Sequence, residues 1–249
     1  VSVNVKILVN HKNLSEVLAA YGIVILADCL GSGITRCRFT KTSTVICDDG
    51  IFRSMKFEFE CPDYPSLVAR IAALDICRVE DKVTLTEKGT EVLKLDWFDM
   101  GGFIGDKGNF FKADKLEFVT LHRDVFAELT GEKQDAASLF SLSTDAESTN
   151  YLANFNLKKN YIDAGGVYDS SDTEVFARDF LLLVALQSLR SVMTRLVNDR
   201  RIVYGLSTEW MAPAGFFAAL TGVSRKRLEA TVKGFGNYGL VLATAKEVA

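Results

Sequence analysis

Eleven consecutive residues, Val17–Ala27, carry no charged side chain (V-L-A-A-Y-G-I-V-I-L-A). A second run, Phe180–Leu186, is equally apolar. Both are shorter than the roughly 18–20 residues a membrane span needs. Both runs read as buried helix faces. No membrane partner is expected. The start, Val3–Val9, is strand-like and lacks a charged region leading into an apolar stretch, so no targeting segment is expected and the compartment reads as cytoplasmic.

The segments around these runs form an α+β pattern. Val3, Val5, Ile7 and Val9 alternate with mostly polar residues, as a half-buried strand does. Asn13 or Ser15 caps a helix to about Leu30, where Gly31 and Gly33 stop it. Arg36–Thr40, Thr44–Cys47 and Phe52–Cys61 read as strands, the last two joined across Asp48-Asp49-Gly50. Pro65 opens a helix to about Leu74, and Val83–Leu85 and Val92–Trp97 form a hairpin across Glu87-Lys88-Gly89. Lys112–Thr130 has helical spacing. Leu139–Leu142 and Tyr151–Leu157 read as strands. Asp172 or Thr173 caps a long helix to about Asn198, Ile202–Leu206 is a strand, and Pro213 begins a helix to Leu220. The expected fold is mixed, with mostly antiparallel sheets, flanking helices and one long helix in the C-terminal half. The softest boundary, near 132–150, divides an N-terminal unit, 1–131, from a C-terminal unit, 132–249, although one domain fits the 249 residues equally well.

Charge is unevenly spread. The chain holds 29 basic and 32 acidic residues, a net of -3 that argues against a generically basic nucleic-acid binder. Residues 51–150 hold 12 basic and 19 acidic side chains, a balance of -7, whereas residues 178–249 hold 10 and 5, a balance of +5. An acidic middle and a basic end suit one face toward proteins and another toward a polyanion; ordinary solvated surface is the plainer reading. The five cysteines, Cys29, Cys37, Cys47, Cys61 and Cys77, include no C-x-x-C pair. They read as reduced, mostly packing as small hydrophobes.

Catalytic and cofactor motifs are mostly absent. Gly31-Ser32-Gly33 follows a helix and has Arg36 where a dinucleotide fingerprint needs glycine. Residues 101–108 lack the P-loop pattern, and His122-Arg123-Asp124 stands without the other kinase elements. Asp96 and Asp99 could hold a metal beside that glycine loop, though turn and cap carboxylates explain them as well. Glu58 and Glu60 share a strand face but need a third partner for metal or acid/base work. His11 and His122 are the only histidines, and no ligand spacing surrounds them. The expectation is a non-enzymatic chain without metal or cofactor.

The segment Phe217–Leu228 (F-A-A-L-T-G-V-S-R-K-R-L) admits two readings. One is a helix-turn-helix with Arg225, Lys226 and Arg227 opening the recognition helix. The other is a hairpin. Leu228, Ala230 and Val232 alternate with polar residues, Gly234-Phe235-Gly236-Asn237-Tyr238-Gly239 turns, and Leu240–Thr244 returns. Strict alternation favours the hairpin. In both, Arg225, Lys226, Arg227 and Lys233 lie near a loop whose Tyr238 or Phe235 could stack on a base. Charge protecting a hairpin edge is the plainer alternative.

Asn10-His11-Lys12-Asn13, Leu18-Ala19-Ala20-Tyr21-Gly22-Ile23 and Leu26-Ala27-Asp28 resemble the opening of the small large-subunit-like proteins of type I CRISPR effector complexes, subtypes I-U and I-G. Leu95-Asp96-Trp97-Phe98 resembles their D-W-W segment, with Phe98 in place of the second Trp. Asp163-Ala164-Gly165-Gly166-Val167 resembles their turn before a helix. Trp210–Pro213 and Gly234–Gly239 resemble their closing helix and glycine-rich hairpin, with Asn237 where a basic residue is expected. The resemblance covers nearly the whole chain in patches. It implies a non-catalytic subunit of an RNA-guided DNA-targeting ribonucleoprotein. Its partners would be guide RNA, target DNA with its short flanking motif, other effector subunits and a recruited helicase-nuclease. The candidate phosphate contacts are Lys158, Lys159, Arg200, Arg201, Arg225, Lys226, Arg227 and Lys233, with Tyr238 for stacking and Lys107 and Asn109 on a loop suited to groove insertion. The alternatives are a guide-RNA-binding backbone subunit of the same kind of complex, a free-standing helix-turn-helix regulator, and a metal enzyme using Asp96 and Asp99.

Overall fold

The structure, a computed structural model, describes residues 2–80, 82–95, 115–132, 135–146, 173–188, 197–198, 201–220, 226–234, 240–242 and 245–248. It is an α+β protein of small antiparallel sheets and packed helices.

The apolar run forms the central helix α1, Leu14–Cys29, in which every residue from Leu14 to Ala27 is buried. Asn13 caps it, accepting a hydrogen bond from the Ser15 amide at 3.0 Å. Beyond its end, Gly31 and Gly33 both have positive φ, a region open to glycine. The strands β1 (Val3–Val9), β2 (Cys37–Ile46) and β3 (Phe52–Cys61) make an antiparallel sheet in the order β1–β3–β2. Strand β1 leads through α1 to β2, and the β2–β3 hairpin returns β3 between them, a split β-α-β arrangement. The two expected strands Arg36–Thr40 and Thr44–Cys47 are one strand, β2, whose register shifts between Lys41 and Val45.

The inward face of this sheet, Val5, Ile7, Val9, Phe39, Met55, Phe57 and Phe59, is buried. Tyr21 of α1 packs against it, its ring 6.4 Å from that of Phe39. On the opposite side α1 meets α4, Ala177–Ser188, which is the second apolar run. At Gly22 the helices approach so closely that a Cβ would overlap the Leu181 carbonyl. The helices α2 (Tyr64–Ala72) and α3 (Lys115–Glu132) continue the layer, α3 packing on both α2 and α4. Both sheet edges are covered. A 3-10 segment, Ala136–Ser141, lies along β1, and Ser207–Met211 joins β2 through Cys37 N–H to Met211 O at 2.8 Å and Phe39 N–H to Ser207 O at 2.7 Å. Residues from Val5 to Ala245 enter one hydrophobic cluster.

Three further sheets are present among the described residues. The strands β4 (Asp75–Val79), β5 (Lys82–Glu87) and β6 (Thr90–Leu95) form a meander, of which sequence patterning anticipated only the β5–β6 hairpin. The strands β7 (Ser143–Ala146) and β8 (Thr173–Phe176) pair antiparallel. The strands β9 (Val197–Asn198), β10 (Arg201–Leu206), β11 (Lys226–Gly234), β12 (Leu240–Leu242) and β13 (Lys246–Val248) form the last sheet around the long strand β11. The short helix α5, Pro213–Ala218, precedes β11.

Three sequence expectations change. Leu139–Leu142 lies mostly in the 3-10 segment that Asp135 caps, not in a strand. The helix expected from residue 173 starts at Ala177, because Thr173-Glu174-Val175-Phe176, rich in β-forming side chains, pairs with β7. It does not extend to Asn198, because Val197–Asn198 pairs with β10. The expected strand Tyr151–Leu157 lies outside the described residues. Among the described residues, no helix is long and apolar enough to cross a membrane.

Candidate nucleic-acid interface

The hairpin reading holds for the basic segment. Residues Lys226–Gly234 form a strand, and Val232–Gly234 pair with β12. A recognition helix over these residues is excluded. The register of β11 sorts its charges. Arg227, Glu229, Thr231 and Lys233 share one face, with Gly205, Val203 and Arg201 of β10 directly opposite the first three. Lys246 of β13 sits opposite Glu229. By register, the positions of Arg201, Arg227, Lys233 and Lys246 therefore fall on one face, with Glu229 the one acid among the described strand residues of that face. Arg227 and Lys246 are exposed, and Arg227 stands between Gly205 of β10 and Val248 of β13. The Lys246 ammonium lies 3.5 Å from the Glu229 carboxylate.

Lys226, which sequence grouped with these residues, belongs to the other face. Its ammonium holds Glu247 at 2.8 Å, and Glu247 also lies 3.5 Å from His11 Nε2. His11 is buried, with Ser54 Oγ 3.4 Å from Nδ1 and the Tyr204 hydroxyl donating to its carbonyl at 2.9 Å. Burial first, then Lys226, push the His11 pKa down to about 4 against the opposing pull of Glu247. This ring is neutral near pH 7 and ties the C-terminal strand to the N-terminal loop. Lys107, Asn109, Lys158, Lys159, Arg200, Arg225 and Tyr238, with Asp96 and Asp99, lie outside the described residues.

Beneath the surface lies a charge cluster that no sequence motif marks. Arg53 donates to Glu16 at 2.8 and 2.9 Å and to Asp49 at 2.7 and 2.9 Å, and it also reaches the Phe140 carbonyl at 3.3 Å. Arg178 donates to Glu16 at 3.1 Å and to the same carbonyl at 2.6 Å, and its guanidinium lies 3.8 Å from the Phe176 ring centroid. Glu16, Arg53 and Arg178 are fully buried, and Asp49 nearly so. Two cations and two anions cancel, which makes burial tolerable. Burial opposes ionisation of Asp49, but the Arg53 hydrogen bonds and charge, the Ile51 amide and Arg178 together hold its pKa below the usual carboxylate range. This tetrad joins α1, the β2–β3 turn, the 3-10 segment and α4. Its sequence signal was the register: Arg53 occupies an inward position among Met55, Phe57 and Phe59.

A second missed arrangement lies on the outer side of the same sheet. Arg36 pairs with Glu60 at 2.6 Å and Arg38 with Glu58 at 2.8 Å. Both guanidiniums stack on Trp210, at 4.7 and 4.4 Å from the ring. Glu58 and Glu60, weighed from sequence as an acid pair, are thus each held by an arginine. Among the described residues, no three His, Cys, Asp or Glu side chains gather as a metal group. All five cysteines are free, and burial pushes the Cys37 thiol up to about 12, far from a reactive thiolate.

The chain matches no family model, no curated protein and no solved structure in the comparisons made.

Proposed function

We propose that the chain is a non-catalytic subunit of an RNA-guided DNA-targeting ribonucleoprotein, one that holds target DNA beside its short flanking motif and helps recruit a helicase-nuclease. The observation that carries the reading is the β10–β11 ribbon: Arg201, Arg227, Lys233 and Lys246 share a face on a chain of net charge -3. Lys and Arg on a ribbon can follow a phosphate backbone while guide pairing reads the sequence. The glycine-rich, aromatic stretch between β11 and β12 supports the same reading, since glycines let a backbone come close and an aromatic ring can stack on a base. The resemblance to the type I large-subunit-like proteins supplies the class of assembly.

The test is purification of the chain with its protein neighbours in the cell, followed by native mass spectrometry and nuclease digestion. The reading expects one copy per particle, a bound guide RNA of uniform length and DNA binding that weakens on Arg227→Glu with Lys233→Glu. A chain that purifies alone without nucleic acid, or an assembly whose DNA affinity ignores both substitutions, would overturn it. Several copies per particle would favour a guide-RNA-binding backbone subunit, for which the split β-α-β sheet provides a platform of the kind that RNA-binding domains use.

A further inference from the structure

The outer face of the β1–β3–β2 sheet has a composition that folding alone does not explain. Alternation along β3 puts Phe52, Ser54, Lys56, Glu58 and Glu60 on this face, because Arg53, Met55, Phe57 and Phe59 are buried on the other. Phe52 is 61% exposed, and its cross-strand partner Ile46 is 65% exposed. Phe52 sits at the β2–β3 hairpin end, beyond the Met55–Cys61 stretch of β3 that pairs with β1, and a large aromatic there would ordinarily be turned inward or covered. Here it stands open on a rigid base, since the next residue, Arg53, and the turn residue Asp49 are locked in the buried tetrad.

Four residues along β3, about 13 Å away, lies Lys56, flanked by Leu8 and Thr40 in register. Lys6 follows on β1, exposed, opposite Glu58. Glu58 and Glu60 are taken by Arg38 and Arg36. The four cations Arg36, Arg38, Lys56 and Lys6 against Glu58 and Glu60 leave the strand positions of this face at about +2 by formal count. An exposed ring with cations two and three rows along the same face, Lys56 and then Lys6, matches a polymer that alternates stackable planes with negative charge. A protein partner would call for a broader apolar patch than two side chains.

We propose that this face binds a single strand of nucleic acid, with a base stacked on Phe52 beside Ile46 and backbone phosphates at Lys56 and Lys6. Unpaired bases are required, because a paired base cannot offer its face to Phe52. The proposal stands on the sheet itself and does not depend on the ribonucleoprotein reading.

The test uses the full chain and three fluorescein-labelled probes: a 20-nucleotide oligouridylate, an oligothymidylate of the same length and a mixed-sequence duplex. Affinity is read by anisotropy across a salt series. Phe52→Ala should weaken single-strand binding about tenfold or more, leave duplex binding unchanged and keep the melting temperature, since the ring is exposed. Lys6→Gln with Lys56→Gln should flatten the single-strand salt slope by about 1.4. Wild-type affinity and slope in these variants would overturn the proposal. So would loss of single-strand binding only in Arg227→Gln with Lys233→Gln, which would place the strand on the ribbon and leave the ribbon reading standing. Loss of protein assembly on Phe52→Ala with oligonucleotide binding intact would also overturn it, by making the face a protein docking surface.

Discussion

Replacing Arg53 with Met tests the buried tetrad. The side chain is fully buried and makes five hydrogen bonds, two to each of Glu16 and Asp49 and one to Phe140 O. Met fills similar volume without charge. The tetrad then holds two carboxylates and only Arg178, a buried net charge of -1. Breaking a buried pair from one side costs about 3–5 kcal/mol, a large share of the ~5–15 kcal/mol by which such a chain is stable. At about 2–4 °C per kcal/mol for a chain of this size, the melting temperature should fall by roughly 6–20 °C. The decisive variant adds Asp49→Asn. Arg53→Met with Asp49→Asn restores neutrality, with Glu16 facing Arg178 at 3.1 Å. It should be clearly more stable than the sum of the two single losses, with a coupling of about 0.5–3 kcal/mol. Chemical denaturation of the wild type, both singles and the double measures this cycle. Strict additivity, or a melting temperature for Arg53→Met within about 2 °C of the wild type, would refute the reasoning.

Four further outcomes follow. The His11 pKa lies near 4 in the fold and near 6.5 when unfolded, so the unfolded chain binds the extra proton. Stability should therefore fall as pH drops from above 6.5 toward 4, by at most about 3 kcal/mol, and His11→Gln should remove that component from a denaturation series against pH. Asp49 acts in the same direction at lower pH, because its depressed pKa contributes stability that is lost as acid protonates it. Gly22→Ala should destabilise at or beyond the upper end of the ~1–3 kcal/mol range for overpacking, since the obstructing atoms are the Leu181 backbone, and thermal melts would show it. Trp210→Ala should cost about 1–2 kcal/mol through loss of two cation–π contacts, while Trp210→Phe should retain part of it.

Local chemistry was legible where one side chain decides the geometry. Asn13 as a cap, the glycines after α1, the Phe52–Cys61 strand and the β11–β12 hairpin all came from residue identity and alternation. The apolar run marked α1 as having a buried face, but nothing in it said that α1 is covered on both sides or named α4 as the partner. That partnership depends on Gly22 meeting Leu181 across more than 150 residues of chain. The start of α4 was misplaced because Thr173–Phe176 suits a strand or a helix cap equally well until β7 is present to pair with it. In the candidate interface, the hairpin register could be read, and with it the common face of Arg227 and Lys233. The addition of Arg201 and Lys246 could not, because both arrive from other strands. Lys226 was grouped with its sequence neighbours, whereas the strand pleat sends it to the opposite face, where Glu247 holds it.

The central claim is that the β10–β11 ribbon meets a phosphate backbone. The most direct measurement is the slope of log affinity against log salt for the purified assembly on duplex target DNA, compared with Arg227→Gln and Lys233→Gln together. Each lost phosphate contact should flatten the slope by about 0.9, so the account predicts a change of about 1.8 with the melting temperature preserved. An unchanged slope and affinity in a folded double variant would contradict it.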